Sequence, residues 1–134
     1  MENTSSDITT NGIRIRVFPQ HIPDERTPRD GRKYFAYTVI ISNIGSEWVK
    51  LLSRYWLIIN SEGENEEVIG EGVVGYFPEL NPGESFTYTS YCPLNTEWGT
   101  MEGEYQFVNG KGEMFTAKIG RFYLVNPEGI EVSQ

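Results

Sequence analysis

Leu80-Asn81-Pro82-Gly83-Glu84-Ser85-Phe86-Thr87-Tyr88-Thr89-Ser90-Tyr91 is a turn that runs straight into a strand. Pro82 presets one backbone angle and Gly83 supplies the freedom a tight turn needs. From Ser85 the side chains alternate, with Phe86, Tyr88 and Ser90 opposing Thr87, Thr89 and Tyr91. A period of two in β-branched and aromatic residues marks a half-buried strand.

The pattern recurs on either side. Ile13, Ile15 and Val17 alternate with Arg14, Arg16 and Phe18, and Pro19 is expected to end that strand. Gln20 to Arg32 has two prolines, six charged residues and the only histidine, so it reads as a long exposed loop. Tyr34 to Asn43 is a second strand. Trp48 to Asn60 is a third, apolar on both faces near Trp56, Leu57, Ile58 and Ile59, which suits a central position. Val68 to Val74 is a short strand broken by glycine. Gly103 to Val108 and Met114 to Val125 read as a hairpin around Asn109-Gly110-Lys111-Gly112.

The last strand carries an irregularity. Phe115, Ala117 and Ile119 share one face, and Phe122 and Leu124 continue the series one residue out of phase. A β-bulge at Gly120-Arg121 returns all five to one side. No segment shows a helical period. Short strands at regular spacing predict an all-β, two-sheet antiparallel sandwich. Leu80 to Phe86 also resembles the corner of fibronectin-type domains, which points to a fibronectin type III/immunoglobulin-like arrangement. Such corners use a tyrosine hydroxyl as a cap. Phe86 has none, so packing alone holds the corner unless Tyr88 substitutes. The sequence divides into a loose polar tail over 1–11, one domain over 12–126 and a second polar tail over 127–134.

The chain has 134 residues and a formal charge of -8, from 11 Lys and Arg against 19 Asp and Glu. That balance argues against nucleic acid and anionic membrane surfaces as partners, since phosphates call for a basic face. With one cysteine, Cys92, no intrachain disulfide forms. No apolar run is long enough for a span, and residues 1–12 lack a signal-peptide core. A cytoplasmic location is expected.

Chemistry-bearing residues are sparse. Gly70-Glu71-Gly72-Val73-Val74-Gly75 matches G-x-G-x-x-G. In dinucleotide-binding folds that run opens a helix on which pyrophosphate sits. Here Tyr76-Phe77-Pro78 follows, which breaks a helix, so a kinked edge strand is the plainer reading and a backbone anion nest the sharper one. Arg54 lies among Leu51, Leu52, Trp56 and Leu57. A guanidinium there needs a carboxylate, a stacking partner such as Trp56 or Tyr55, or an anionic ligand. Glu62, Glu64, Glu66 and Glu67 read as a solvated acidic turn rather than a calcium loop. His21 and Cys92 stand alone, so no metal site and no cofactor is expected. Tyr76, Phe77, Tyr91 and Trp98 lie at or near turns. They either plug the ends of the sandwich or anchor a protein partner.

Together these stretches resemble the ApaG (CorD) family. The matching runs include Tyr34 to Asn43, Leu51 to Ile58 with its Ser53-Arg54-Tyr55-Trp56, Val68 to Gly75, Leu80 to Ser90, and Gly99 to Tyr105. The resemblance spans about Ile13 to Val125. It implies a fibronectin-like sandwich, an association with cobalt resistance and magnesium efflux without a defined activity, and pyrophosphate binding at Gly70, Gly72 and Gly75. Related domains in eukaryotic F-box proteins look like interaction modules. Tyr55 stands where relatives more often carry histidine. The expected function is a non-catalytic binding module acting through protein contacts, with Tyr76, Phe77 and Trp98 as partner-binding residues. The alternative is an anion, pyrophosphate or nucleotide-binding domain using Gly70, Gly72, Gly75 and Arg54. Pairing of exposed strand edges into a homodimer is a further expectation.

Overall fold

The period-two segments fold as strands because each buries one face and pairs its backbone with a neighbour. The computed structural model describes residues 4–126. Among them the strands are β1 (Ser6–Thr10), β2 (Ile13–Ile22), β3 (Lys33–Asn43), β4 (Val49–Asn60), β5 (Asn65–Glu71), β6 (Glu79–Leu80), β7 (Ser85–Leu94), β8 (Gly99–Asn109) and β9 (Met114–Leu124). One 3-10 turn, Asp24–Arg26, interrupts the loop after β2. One sheet has the order β1-β2-β3-β7 and the other β5-β4-β8-β9, with β6 paired to the start of β4. Every pairing is antiparallel. This is the expected two-sheet sandwich of fibronectin type III/immunoglobulin-like form.

The core lies between the sheets. Ile15, Val17, Phe35, Val39 and Ile41 come from the first, and Leu51, Trp56, Tyr105, Phe107 and Phe122 from the second; all are buried. Trp56 meets Tyr37, Tyr105 and Phe122 edge-on. β4 sits between β5 and β8, the central place its apolar faces predicted.

Several local expectations change. Ser6–Thr10, inside the span read as a loose tail, is β1 and pairs with Ile13–Val17 through the Asn11-Gly12 turn. Its polar residues hid a strand that rides on the sheet margin. Residues 1–3 and 127–134 lie outside the described residues. β2 continues through Pro19 to Ile22. By then β1 has ended, so the outer side of β2 is free and a missing N–H breaks no ladder bond. The corner is not held by packing alone, nor by Tyr88. The Asn43 side chain donates to the carbonyls of Glu47 (2.7 Å) and Leu80 (3.0 Å). The Tyr88 hydroxyl instead meets that of Tyr105 across the core.

Two bulges set which residues face inward. Met101 pairs with Phe122 and Gly103 with Ile119, so Glu102 opposes both Gly120 and Arg121. This is the bulge expected there. A second was not foreseen. Leu51 pairs with Phe107 and Ser53 with Gln106, leaving Leu52 as the extra residue of β4.

Candidate functional site

The Leu52 bulge decides the position of Arg54. Val49 and Leu51 point into the core before it. One extra residue shifts the phase, so the even-numbered residues point inward after it. Arg54, Trp56 and Ile58 therefore share one face, and they line a cleft of ≈ 520 Å³. β5 continues that face through Glu66, Val68 and Gly70, which pair with Ile58, Trp56 and Arg54. Tyr88, Ser90 and Cys92 of β7 form the opposite wall. The cleft is thus the gap between the two sheets along the β5–β7 side.

Arg54 makes neither of the structural pairings expected of it. Among the described residues no carboxylate pairs with it and no ring stacks under it. Its Nη1 donates to the carbonyls of Glu71 (2.8 Å) and Gly72 (2.9 Å). The guanidinium lies flat over Gly70, where a Cβ would stand 2.6 Å from Nη2. Gly70 is the space into which Arg54 folds.

The other two glycines shape a hairpin. The Val73 amide donates to the Tyr76 carbonyl (2.9 Å) and the Tyr76 amide to the Val73 carbonyl (2.8 Å). Between them Val74 and Gly75 both have positive φ, 43° and 86°, the pattern of a type I′ turn. Gly72 also has positive φ, and a Cβ on it would strike the Tyr76 carbonyl. Its amide donates to the Leu52 carbonyl at 2.9 Å, tying the hairpin to the bulge. No helix follows.

Gly70, Gly72, Gly75, Arg54, Tyr76 and Phe77 are therefore one neighbourhood. Phe77 lies against Gly72, and the Tyr76 ring is 5.8 Å from that of Phe86. Trp98 is elsewhere. It precedes Gly99, which pairs with Asn60, roughly 25 Å along β4 from the bulge.

Sequence reasoning missed the inner polar group. Tyr37, Tyr88 and Tyr105 lie beneath Arg54, and burial raises the pKa of all three phenols. It also read Glu66 as part of the acidic turn, whereas Glu66, though solvent-exposed, lies on β5 within electrostatic reach of Cys92. Burial, and secondarily the Glu66 charge, pushes the Cys92 thiol up to about 12. The alternation of Glu66, Val68 and Gly70 in phase with Ile58, Trp56 and Arg54 was the available signal. Tyr55 faces the other way and donates to Glu67 at 2.6 Å, so the residue at that position does not touch the cleft. His21 packs edge-on against Phe35. Among the described residues no three His, Cys, Asp or Glu side chains converge as a metal site would require, and no helix is long and apolar enough to cross a membrane.

Comparison with known proteins agrees with this architecture. Residues 23–109 match the family model described as the ApaG domain. Protein ApaG of Methylobacterium sp. (strain 4-46) is 49% identical over 118 residues, covering 88% of this chain and 91% of the relative. Protein ApaG of Bradyrhizobium sp. (strain ORS 278) is 45% identical over 123 residues, covering 92% and 95%. A crystal structure described as the ApaA protein of Bordetella pertussis superposes with a TM-score of 0.81 at 43% identity, covering 86% of this chain and 94% of that one. The family model, the relatives and the solved structure each match most of the chain, and the protein belongs to the ApaG family.

Proposed function

We propose that the chain is a non-catalytic, cytoplasmic binding module that engages a protein partner through the hairpin at the mouth of the cleft. On this reading any link to cobalt resistance and magnesium efflux runs through that partner, not through cation binding. The observation that carries it is Val74. A β-branched residue with φ 43° is a backbone outlier. Its side chain is 50% exposed and gains little from burial. Unfavourable backbone angles that burial does not offset are a mark of functional loops. Beside it Tyr76 is 62% exposed and Phe77 also faces solvent, and large rings anchor protein interfaces at low entropic cost. The partners retained by the wild-type chain should be lost from a Tyr76→Ala/Phe77→Ala double variant. An unchanged partner list removes the hairpin as the interface.

A second reading has its own support. Among the described residues no carboxylate balances the charge of Arg54, which stands at the wall of an open cleft. With Gly70 to Gly75 beside it, it suits an anion such as pyrophosphate or a nucleotide. The amides of Gly72, Val73 and Tyr76 already have partners, so Arg54 carries most of that reading. Calorimetry against pyrophosphate and nucleotides, with and without Mg²⁺, tests it. Silence at millimolar ligand removes it.

A further inference from the structure

β7 is the outer strand of its sheet. The Asn43 amide donates to the Glu84 carbonyl, which makes those two a hydrogen-bonded pair. Such pairs alternate with open ones along an antiparallel ladder. Phe86, Tyr88 and Ser90, opposite Ile41, Val39 and Tyr37, therefore bond to β3. Ser85, Thr87, Thr89 and Tyr91 turn their N–H and C=O groups outward. Two observations agree. The hydroxyl pairs Ser42–Ser85 (2.8 Å) and Thr38–Thr89 (2.9 Å) occupy open positions, where side chains approach closely. Pro93, which has no N–H to lose, falls on the outward set. Among the described residues, no backbone partner takes the outward groups of Thr87, Thr89 or Tyr91.

The other margins are guarded. Residues flanking β1 tie it to β9, through the Tyr123 amide on the Thr4 carbonyl (3.0 Å) and the Asn11 side chain on the Thr116 carbonyl (2.9 Å). β5 carries Glu66, Glu67 and Glu71, and charge blunts an edge. Residues 85–96 hold no charged side chain.

We propose that β7 accepts an extended segment of a partner protein as an added strand, whose alternate side chains enter the cleft. This rests on the binding-module reading and specifies its mode. Main-chain bonds supply affinity in such additions and pockets for alternate side chains supply specificity. The cleft is polarised. Arg54 stands near Tyr88, and Glu66 faces Cys92, four residues further along β7, with Trp56 and Val68 between. The segment that fits has an acidic, an apolar and a basic side chain at successive inward positions. A second copy of this chain fits less well. Pairing β7 with its own copy sets two acidic β5 margins together in chains of net charge -8.

The probe is a synthetic peptide of about seven residues, with threonine at the outward positions and glutamate, leucine and lysine at the three inward ones. Added to the full chain, it should slow amide exchange at Thr87, Thr89 and Tyr91. N-methylation of the peptide amides that face β7 should abolish binding, and methylation of the alternate set should leave it within about twofold. Thr89→Pro should weaken binding about tenfold, the effect of losing one or two backbone hydrogen bonds, while Thr89→Ala should not. The methylated peptides decide the matter on wild-type protein if Thr89→Pro does not fold. Absence of β7 protection at millimolar peptide, or equal effects from both methylation sets, overturns the proposal. Protection confined to Tyr76 and Phe77 overturns it too, yet leaves the binding module standing. Protection of β7 without peptide, rising with protein concentration together with a doubled mass, assigns the edge to a second copy.

Discussion

The sandwich has two long sides, and they are built differently. On one, β1 and β9 are joined by backbone and side-chain bonds, and Ile8 packs against Gly120 at the β9 bulge. Arg14 and Asp7 add an ion pair on that margin. On the other, β7 and β5 stand apart around a cleft of ≈ 520 Å³. Among the described residues Arg54 is held there by backbone carbonyls alone, and Val74, Tyr76 and Tyr91 are turned to solvent. The closed side gains its stability from burial. The open side keeps polar groups and rings where another molecule can reach them. Both sides contain a bulge, used to opposite ends. At Gly120-Arg121 it returns apolar residues to the core. At Leu52 it turns an arginine inward.

Paired truncations test that contrast most sharply. Phe122 on β9 is fully buried and Tyr91 on β7 is 64% exposed. Phe122→Ala should cost about 3–5 kcal/mol in denaturant unfolding, and Tyr91→Ala should stay within about 0.5 kcal/mol. Equal losses mean that the open side is packed as tightly as the closed one.

A smaller effect is expected at high pH. Tyr88, Tyr105 and Cys92 all have folded pKa values raised by burial. The folded state therefore holds protons that the unfolded chain gives up. Stability from these groups is complete below the ordinary thiol and phenol range, and it is lost as pH rises through that range toward the folded values. Unfolding midpoints should hold steady near pH 8 and fall from about pH 9–10 upward. Cys92 should resist alkylation at pH 8 until the chain is denatured. A flat profile to pH 11 contradicts the dry tyrosine group beneath the cleft.

The smallest change has the opposite sign. Val74→Gly relieves a left-handed backbone, so stability should rise by about 1 kcal/mol while retention of the hairpin's partner falls. A drop in stability would show that the Val74 side chain is held by packing after all.

Much of the fold was legible because period-two burial writes itself into residue type. Phe86 and Tyr88, or Ile13 and Ile15, announce their strands, and the out-of-phase pair Phe122 and Leu124 announced its bulge. Ser6–Thr10 was not legible, since a margin strand with one partner needs no apolar face. Of the site, Arg54 and the three glycines were grouped in the sequence as one candidate anion site. How they meet was hidden, because Gly70 is explained only by a guanidinium from another strand. Trp98 looked like Tyr76 and Phe77 in sequence, and the register put it at the far end of β4.

By itself, then, the sequence determined strands, turns, the two-sheet class and the family resemblance, all carried by short-range patterns of polarity and backbone freedom. The tertiary structure alone decided that Leu52 is a bulge, that Arg54 faces inward onto backbone carbonyls, and that one side of the sandwich closes while the other stays open. Those outcomes depend on register between distant strands. A one-residue shift in pairing reverses every side chain beyond it without altering any local pattern.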